Sequence, residues 1–245
     1  MHRLYASSGN MLGGEITIND KEQIHHNRNV LRLKKNEEAV IFDEKGNEYR
    51  CALQESSVNK MVFRVVRKEN VHHMIGPRIT IACAIPKGHF MDNIIDKLTQ
   101  LGVDRVIPLE TERVIVKLDK RKKELRRGRW MKIILSAGIQ SQRSVLPVLE
   151  PVKGMKELLS ASGDFDLKLI PALTGDRRPL KEALGDLKPK DILVIIGPEG
   201  DFTPAELDAA KKAGCIPVSL GPSVLRVETA AVSAAAFIRL YYEER

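Results

Sequence analysis

The first seventy positions of the chain alternate between apolar and polar residues in short runs. The runs with the length and period of β-strands are Leu4-Tyr5, Glu15–Ile18, Ala39–Phe42, Tyr49–Leu53 and Met61–Val66. Turn-forming Gly, Asn and Asp residues separate them, and Asn19-Asp20 can cap a helical stretch that follows. Short strands with one helix in a segment of this size predict a small β-barrel over residues 1–70.

A different rhythm begins beyond residues 71–77, which lack periodicity, contain Gly-Pro and are interpreted as a linker. Strand-like runs then alternate with longer helical ones. The strand-like runs are Ile79–Ile85, Arg105–Leu109, Leu167–Leu173, Asp191–Ile196 and Ile216–Leu220. This alternation predicts an α/β domain with a mostly parallel sheet over residues 78–245. Because parallel sheets bind ligands at the carboxyl ends of their strands, functional residues are expected in the loops there.

Composition excludes several classes of protein. Of the 245 residues, 43% are hydrophobic and 29% are charged, which is sufficient for a buried core and excludes a disordered chain. The longest aliphatic run, Ile192–Ile196, is far shorter than the about 20 residues that a membrane-spanning helix needs. The N-terminus lacks the apolar segment of a secretory signal. We therefore expect a soluble, cytoplasmic protein.

Neither the cysteines nor the histidines have the spacing of a metal site. The three cysteines, at positions 51, 83 and 215, lie far apart in apolar sequence without a CxxC pair, which predicts buried free thiols. The pairs His25-His26 and His72-His73 are adjacent, unlike the i,i+4 spacing that places two ligands on one helix face. We expect no bound metal.

The basic charge of the chain is concentrated in one segment. The whole chain has a formal net charge of +8, and the sixteen residues from 117 to 132 contain nine basic side chains against two acidic ones. The basic residues are Lys117, Lys120, Arg121, Lys122, Lys123, Arg126, Arg127, Arg129 and Lys132. Such a density predicts a polyanionic partner, nucleic acid above all, with a solvated helix face as the alternative. Trp130, within this segment, is predicted to anchor the helix to the core, with stacking on a base as the alternative.

Three of the predicted strands are followed by loops rich in Gly and Pro. Their sequences are PALTG at 171–175, GPEGDF at 197–202 and LGPSVLRVETA at 220–230. The second loop leads into Thr203-Pro204-Ala205-Glu206, a helical capping box. Pro198 has no N–H for a phosphate and Glu199 adds negative charge. The loops are therefore compatible with a cationic ligand without phosphate, such as S-adenosylmethionine.

The second and third loops, taken together and in their order along the chain, strongly resemble motifs of the ribosomal RNA small subunit methyltransferase E family, of the SPOUT class. The resemblance extends to MDNIIDKLTQLGV at 91–103, TER at 111–113, QSQR at 140–143 with Pro147, and HHNRNVLRLKKNE at 25–37, which is similar to the family's PUA-like RNA-binding domain. Two positions depart from the family pattern: Asp201 replaces a second glycine, and Ile139 replaces an acid before Gln140. Aspartate tolerates left-handed backbone better than most residues.

The resemblance implies a C-terminal trefoil knot, a homodimer with its sites near the interface, and methylation of uridine N3 in 16S rRNA of the small ribosomal subunit. It assigns S-adenosylmethionine to Leu173, Ile196, Gly197, Pro198, Glu199, Gly200, Leu220, Gly221, Leu225, Arg226 and Thr229. Together with the basic segment, it assigns RNA contacts to Arg28, Arg32, Arg113, Lys120, Arg121, Lys122, Lys123, Arg126, Arg127 and Arg143.

Uracil N3 carries a proton, so methylation requires a base or a cation that stabilises negative charge on the flanking oxygens. We interpret Arg226 as the cation and Glu228 or Glu199 as the base. The alternative is that Arg226 is a surface residue and Glu228 a carboxylate favoured at a helix start. Two alternative functions remain open: a non-catalytic RNA-binding or ribosome-assembly factor, and a ribose 2′-O-methyltransferase.

Overall fold

A computed structural model of the chain describes residues 1–69, 76–114 and 118–243. Residues 71–75 of the predicted linker, which include His72-His73, lie outside the described residues, as does Lys117 of the basic segment. The chain forms two compact units. The first contains the N-terminal strands together with Leu135–Leu146, and the second contains the rest of the described chain. The domain boundaries at 70 and 77 stay a prediction.

The first unit is built on one six-stranded sheet. Its strands are β1 (His2–Tyr5), β2 (Met11–Leu12), β3 (Glu15–Ile18), β4 (Glu38–Phe42), β5 (Glu48–Ser56) and β6 (Met61–Glu69). Their order in the sheet is β1-β4-β5-β6-β3-β2, with β1 parallel to β4 and the other neighbours antiparallel. All five predicted strands are present. The two-residue strand β2 is too short to give a periodic signal.

Local capping and apolar packing complete the first unit. A 3₁₀ turn covers Ser8–Asn10, and helix α1 (Lys21–His25) runs into a π-helical turn, His26–Val30. The Asp20 carboxylate caps α1 by accepting a hydrogen bond from the Gln23 N–H at 2.8 Å, as predicted. The guanidinium of Arg3 contacts the Glu48 carboxylate at 2.5 Å and the Ser144 hydroxyl. This contact fastens the 135–146 segment to the sheet.

The second unit is built on a parallel eight-stranded sheet, which confirms the predicted α/β class. Its strands are β7 (Arg78–Ala84), β8 (Arg105–Glu110), β9 (Val148–Leu149), β10 (Lys153–Gly154), β11 (Leu167–Pro171), β12 (Arg178–Pro179), β13 (Asp191–Ile196) and β14 (Ile216–Ser219). The order is β10-β8-β7-β13-β11-β14-β12, with β9 beside β8, and every pairing is parallel. The strand predicted over Leu167–Leu173 ends at Pro171, so residues 172–175 belong to a loop.

Six further helices follow along the described chain; five belong to the second unit, and one, over Lys120–Gln140, continues into the segment of the first unit that begins at Leu135. They are α2 (Phe90–Gln100), α3 (Lys120–Gln140), α4 (Met155–Ser160), α5 (Leu180–Leu184), α6 (Pro204–Lys212) and α7 (Val227–Glu243). The apolar stripe of α2 is buried, as its pattern predicts. Trp130 of α3 is buried and its indole N–H donates to Asp92 at 3.1 Å, which confirms its predicted role as a core anchor. None of the described helices is long and apolar enough to cross a membrane.

A buried arginine fixes α7. The Arg239 guanidinium donates to the carbonyl oxygens of Gly102 at 2.5 Å and Pro77 at 3.3 Å, and it lies 3.2 Å from the Asp104 carboxylate. These partners satisfy a charge that would otherwise be costly to bury. Helix α7 is thereby attached to the segments flanking β7 and β8, and its first turn is positioned at the carboxyl end of the sheet.

The cysteines are buried free thiols, as predicted. Burial raises the pKa of Cys51 to about 12 and that of Cys215 to about 11. At neutral pH both therefore remain protonated and unreactive. Within residues 1–69, 76–114 and 118–243, no three His, Cys, Asp or Glu side chains are grouped as a metal site requires.

Candidate functional site

A cleft opens at the carboxyl ends of the adjacent strands β13, β11 and β14. It encloses about 580 Å³ of space, counting the part open to solvent. The residues lining the cleft are Pro171, Ala172, Leu173, Arg177, Ile196, Gly197, Pro198, Glu199, Asp201, Val218, Leu220, Gly221, Ser223, Val224, Leu225, Val227 and Ala230. The three Gly- and Pro-rich loops therefore meet at one site.

Most of the residues assigned to the cofactor line this cleft, namely Leu173, Ile196, Gly197, Pro198, Glu199, Leu220, Gly221 and Leu225. Gly200, Arg226 and Thr229 are not among the lining residues. Sequence reasoning passed over several lining residues that stand within the same three loops, such as Asp201 and Val224. It also passed over Arg177, which lies just beyond the first loop. Its guanidinium donates to the Ala172 carbonyl at 2.9 Å.

The GPEGDF loop is held in a short, fixed path. A Cβ on Gly197 would stand 2.9 Å from the ring of the buried Phe202, so the close approach of ring and backbone requires glycine. The predicted capping box follows: the Thr203 hydroxyl accepts from the Glu206 N–H at 3.2 Å, and Glu206 accepts from the Thr203 N–H at 3.0 Å. The start of α6 therefore fixes the end of the loop.

The segment after β8 supports the same loop from a second side. Arg113 donates to the carbonyl oxygen of Gly200 at 2.7 Å and to that of Phe202 at 3.4 Å. The Glu112 N–H donates to the other carboxylate oxygen of Glu206 at 2.8 Å. Arg113 was predicted to contact RNA, and the structure brings its side chain to the loop of the cleft.

Asp201 joins two of the loops. Its backbone is left-handed, with φ +58°. One carboxylate oxygen accepts from the Leu173 N–H at 3.0 Å, and the other accepts from the Phe202 N–H at 2.9 Å. The departure from the family's glycine is thus accommodated by the backbone conformation that aspartate tolerates.

The three candidate catalytic side chains lie near the carboxyl end of β7 or at the start of α7. Burial raises the pKa of the Cys83 thiol near the end of β7, and the negative charges of Glu199 and Glu228 raise it further. Glu199 also accepts from the Lys87 N–H at 3.4 Å. Glu228 is in the first turn of α7, where the helix dipole favours a carboxylate. Arg226 directly precedes α7; it is exposed and pairs with no described carboxylate.

Sequence comparison relates this site to known proteins. Residues 75–239 match the family described as an RNA methyltransferase domain, and residues 18–66 match the RNA methyltransferase PUA domain. A ribosomal RNA small subunit methyltransferase E of Bacillus subtilis is 32% identical over 214 residues, covering 85% of this chain and 84% of that protein. The chain belongs to the ribosomal RNA small subunit methyltransferase E family.

Solved structures of similar shape include other methyltransferases. A ribosomal RNA small subunit methyltransferase E of Neisseria gonorrhoeae, bound to S-adenosyl methionine, has a TM-score of 0.84 and 30% identity, covering 99% of this chain and 98% of that one. A methyltransferase of Legionella pneumophila, in complex with the same cofactor, has a TM-score of 0.86 and 29% identity, covering 98% and 97%. The predicted family and the N-terminal PUA-like domain are confirmed.

The predicted RNA-binding residues differ in how many contacts they make with the rest of the chain. Arg28 and Arg32 are exposed in the first unit, and Arg143 is half-buried there. In the second unit the exposed or half-buried members on α3 are Lys120, Arg121, Lys122, Lys123, Arg126 and Arg127. Lys123 pairs with Glu110 at 2.8 Å and Lys122 with Asp119 at 3.4 Å. Lys120, Arg121, Arg126 and Arg127 form no ion pair with a carboxylate of the described chain.

Proposed function

We propose that this chain is an S-adenosylmethionine-dependent methyltransferase that methylates N3 of a uridine in 16S rRNA of the small ribosomal subunit. The observation that carries the proposal is the cleft at the carboxyl ends of β11, β13 and β14. It lies in a chain whose relatives have been solved with S-adenosyl methionine bound. The match to a PUA domain of RNA methyltransferases favours RNA as the second substrate.

The residues of the cleft fit a cationic cofactor. Pro198 offers no N–H to a phosphate, and the carboxylates of Glu199 and Asp201 add negative charge to the lining. Leu220, Leu225 and Val218 supply apolar surface for an adenine ring. We assign the cofactor to the backbone groups of the three loops, including Ile196, Gly197, Gly200 and Gly221, with the backbone of Arg226 and with Thr229 in the first turn of α7.

When bound, S-adenosylmethionine supplies the electrophilic methyl group. The chain's own residues must remove the proton from uracil N3 and stabilise the charge that develops on the flanking oxygens. We assign the second task to Arg226, whose guanidinium pairs with no described carboxylate. The first task falls to Glu228 or Glu199. Glu199 lines the cleft, and Glu228 directly follows the cleft-lining Val227 in the chain.

The RNA is proposed to be held by basic residues of both units. Four basic side chains of α3, Lys120, Arg121, Arg126 and Arg127, are without carboxylate partners in the described chain and are suited to phosphate contacts. Arg28, Arg32 and Arg143 would contribute from the first unit. Lys122 and Lys123 can contribute only when they exchange their carboxylate partners for phosphate.

We also propose the trefoil knot and the homodimer that the family resemblance implies. A second copy of the chain would cover exposed apolar side chains at the end of the third loop and on α7. These are Val224, Phe237 and Leu240, which are 75%, 39% and 63% exposed. Val224 also lines the cleft, so a partner at this surface would adjoin the cofactor.

The proposal is tested by methyl transfer from labelled S-adenosylmethionine to small ribosomal subunits that lack the modification, with naked 16S rRNA in parallel. We expect incorporation into rRNA, and mass analysis of the digested nucleosides should locate the methyl group on the uracil base. A methyl group on ribose would replace the proposal with 2′-O-methylation. Binding of RNA without any uptake of cofactor would identify a non-catalytic binding or assembly factor.

A further inference from the structure

Asp201 has a strained, left-handed backbone conformation, and contacts of its side chain must offset that strain. At φ +58°, every residue with a Cβ is strained and glycine is not, although Asp and Asn are strained least. A glycine at this position would follow the same backbone path more easily. The gain from an aspartate must therefore come from what its carboxylate contacts.

Both oxygens of that carboxylate are used, and they connect segments 28 residues apart in the chain. One accepts from the Leu173 N–H at 3.0 Å, in the loop after β11, and the other from the Phe202 N–H at 2.9 Å, in the loop after β13. Hydrogen bonds from N–H groups to an ionised carboxylate are about twice as strong as those between neutral groups. The carboxylate therefore ties the two loops together.

The loop after β11 needs such a tie. Its last bond to the sheet is from the Ala172 N–H to the Val218 carbonyl, at 3.2 Å, and residues 173–175 beyond it are exposed. Leu173 and Asp201 both line the cleft. Holding them together fixes the separation of two of its loops before a ligand arrives. A cleft fixed in advance loses less conformational entropy on binding.

We propose that Asp201 is a positioning residue that presets the cofactor cleft by clamping the 172–175 loop to the 197–202 loop. The inference rests on the proposed function for the identity of the ligand. It also changes the role of Leu173: its N–H is engaged by the carboxylate, so the contacts it offers a cofactor are its carbonyl oxygen and its side chain.

The test compares wild type with Asp201→Gly, Asp201→Asn and the control Asp208→Asn, which removes a carboxylate from an exposed position on α6. Hydrogen exchange of the Leu173 amide is measured in the cofactor-free protein, and binding of S-adenosylmethionine is measured by calorimetry. For Asp201→Gly we expect about tenfold faster exchange and about tenfold weaker binding, without a lower melting temperature. Asp201→Asn should be intermediate, and the control should match wild type.

Tight binding by Asp201→Gly with unchanged Leu173 exchange would overturn the clamp, since the aspartate would then be only a tolerated substitute for glycine. A collapse of kcat at saturating cofactor with unchanged KM would also overturn it, because the carboxylate would then act in the chemistry. If wild type takes up no S-adenosylmethionine, the proposed function fails. The exchange rate of Leu173 still decides whether the clamp exists.

Discussion

Arg113 donates a hydrogen bond to the carbonyl oxygen of Gly200 across 87 positions of sequence, at 2.7 Å. A residue type that is typical of phosphate contacts thus supports the loop of the proposed cofactor cleft. Its other contact, to the Phe202 carbonyl at 3.4 Å, strengthens the same support. The arginine and the Asp201 carboxylate hold this loop from two neighbouring segments, one after β8 and one after β11.

Replacing Arg113 by alanine should therefore weaken the binding of S-adenosylmethionine. Loss of hydrogen bonds from a charged donor costs about 1.5–3 kcal/mol, or roughly one to two orders of magnitude in affinity. Calorimetry with the cofactor alone, without RNA, measures this affinity. Arg127→Ala is the matched control, because Arg127 is an exposed arginine of α3 with no carboxylate partner in the described chain. If the two variants bind the cofactor equally well, the hydrogen bonds of Arg113 do not contribute to cofactor binding.

Arg226→Ala should reduce turnover and leave cofactor affinity nearly unchanged. The side chain is exposed and does not line the cleft, whereas a guanidinium that stabilises developing charge typically contributes about 10²–10³ in kcat. Single-turnover methyl transfer at saturating cofactor measures the effect, and calorimetry measures affinity. Lost cofactor binding with intact turnover per bound complex would refute the assignment. Arg226→Lys, which keeps the charge, should recover part of the rate.

The basic residues of α3 should contribute unequally to RNA binding. Neutralising Lys120 and Arg121 should lower the slope of log K against log salt by roughly 1.4–1.8 in total, at about 0.7–0.9 for each lost phosphate contact. Neutralising Lys122 and Lys123 should lower it less, because these side chains pair with Asp119 and Glu110. Binding is measured at several salt concentrations. An unchanged slope in both double variants would mean that this stretch is a solvated helix face.

Asp166 should make folding stability depend on acidic pH. Its carboxylate accepts from the Asp191 N–H at 2.9 Å and the Lys190 N–H at 2.7 Å, and these bonds lower its pKa below the ordinary 3.8. A carboxylate whose pKa is lower in the folded state contributes its full stabilisation at pH values above its unfolded-state pKa. This stabilisation is lost as the pH falls through the folded-state pKa. Asp166→Asn should thus be less stable than wild type at pH 7, with a gap that narrows below about pH 4.

Urea unfolding at pH 7 and at pH 3 measures that gap. The neighbouring, exposed Asp164 provides the control substitution Asp164→Asn. A gap of the same size at both pH values would show that the effect of Asp166→Asn is independent of carboxylate ionisation.

The sequence predicted those elements whose signals are local. The bounds of β3 and β13 and the capping box at Thr203 follow from the order of neighbouring residues alone. The predicted extension of β11 to Leu173 is wrong, because the apolar pattern continues beyond the end of the strand pairing. The last pair of β11 is Pro171 with Val218, although β14 continues to Ser219. The Leu173 N–H donates to the Asp201 carboxylate instead of to a neighbouring strand.

The parts of the site that escaped prediction depend on contacts between distant segments. Three Gly- and Pro-rich loops could be recognised in the sequence, and most of their residues line the cleft. The hydrogen bonds of Asp201 to Leu173 and of Arg113 to Gly200 could not be recognised in the sequence. Residue type and spacing do not encode which backbone group a side chain will reach. Arg177 was missed for the same reason.

Helix α7 links the completion of the cleft to the order in which the protein is synthesised. Val227 and Ala230 of its first turns line the cleft, and Arg239 anchors the helix to carbonyl groups that were translated more than a hundred residues earlier. A nascent chain therefore lacks a finished ligand site until this helix has emerged from the ribosomal tunnel and docked. Newly made molecules should therefore acquire methyl-donor binding only after residues 227–243 have been synthesised and have packed against the sheet.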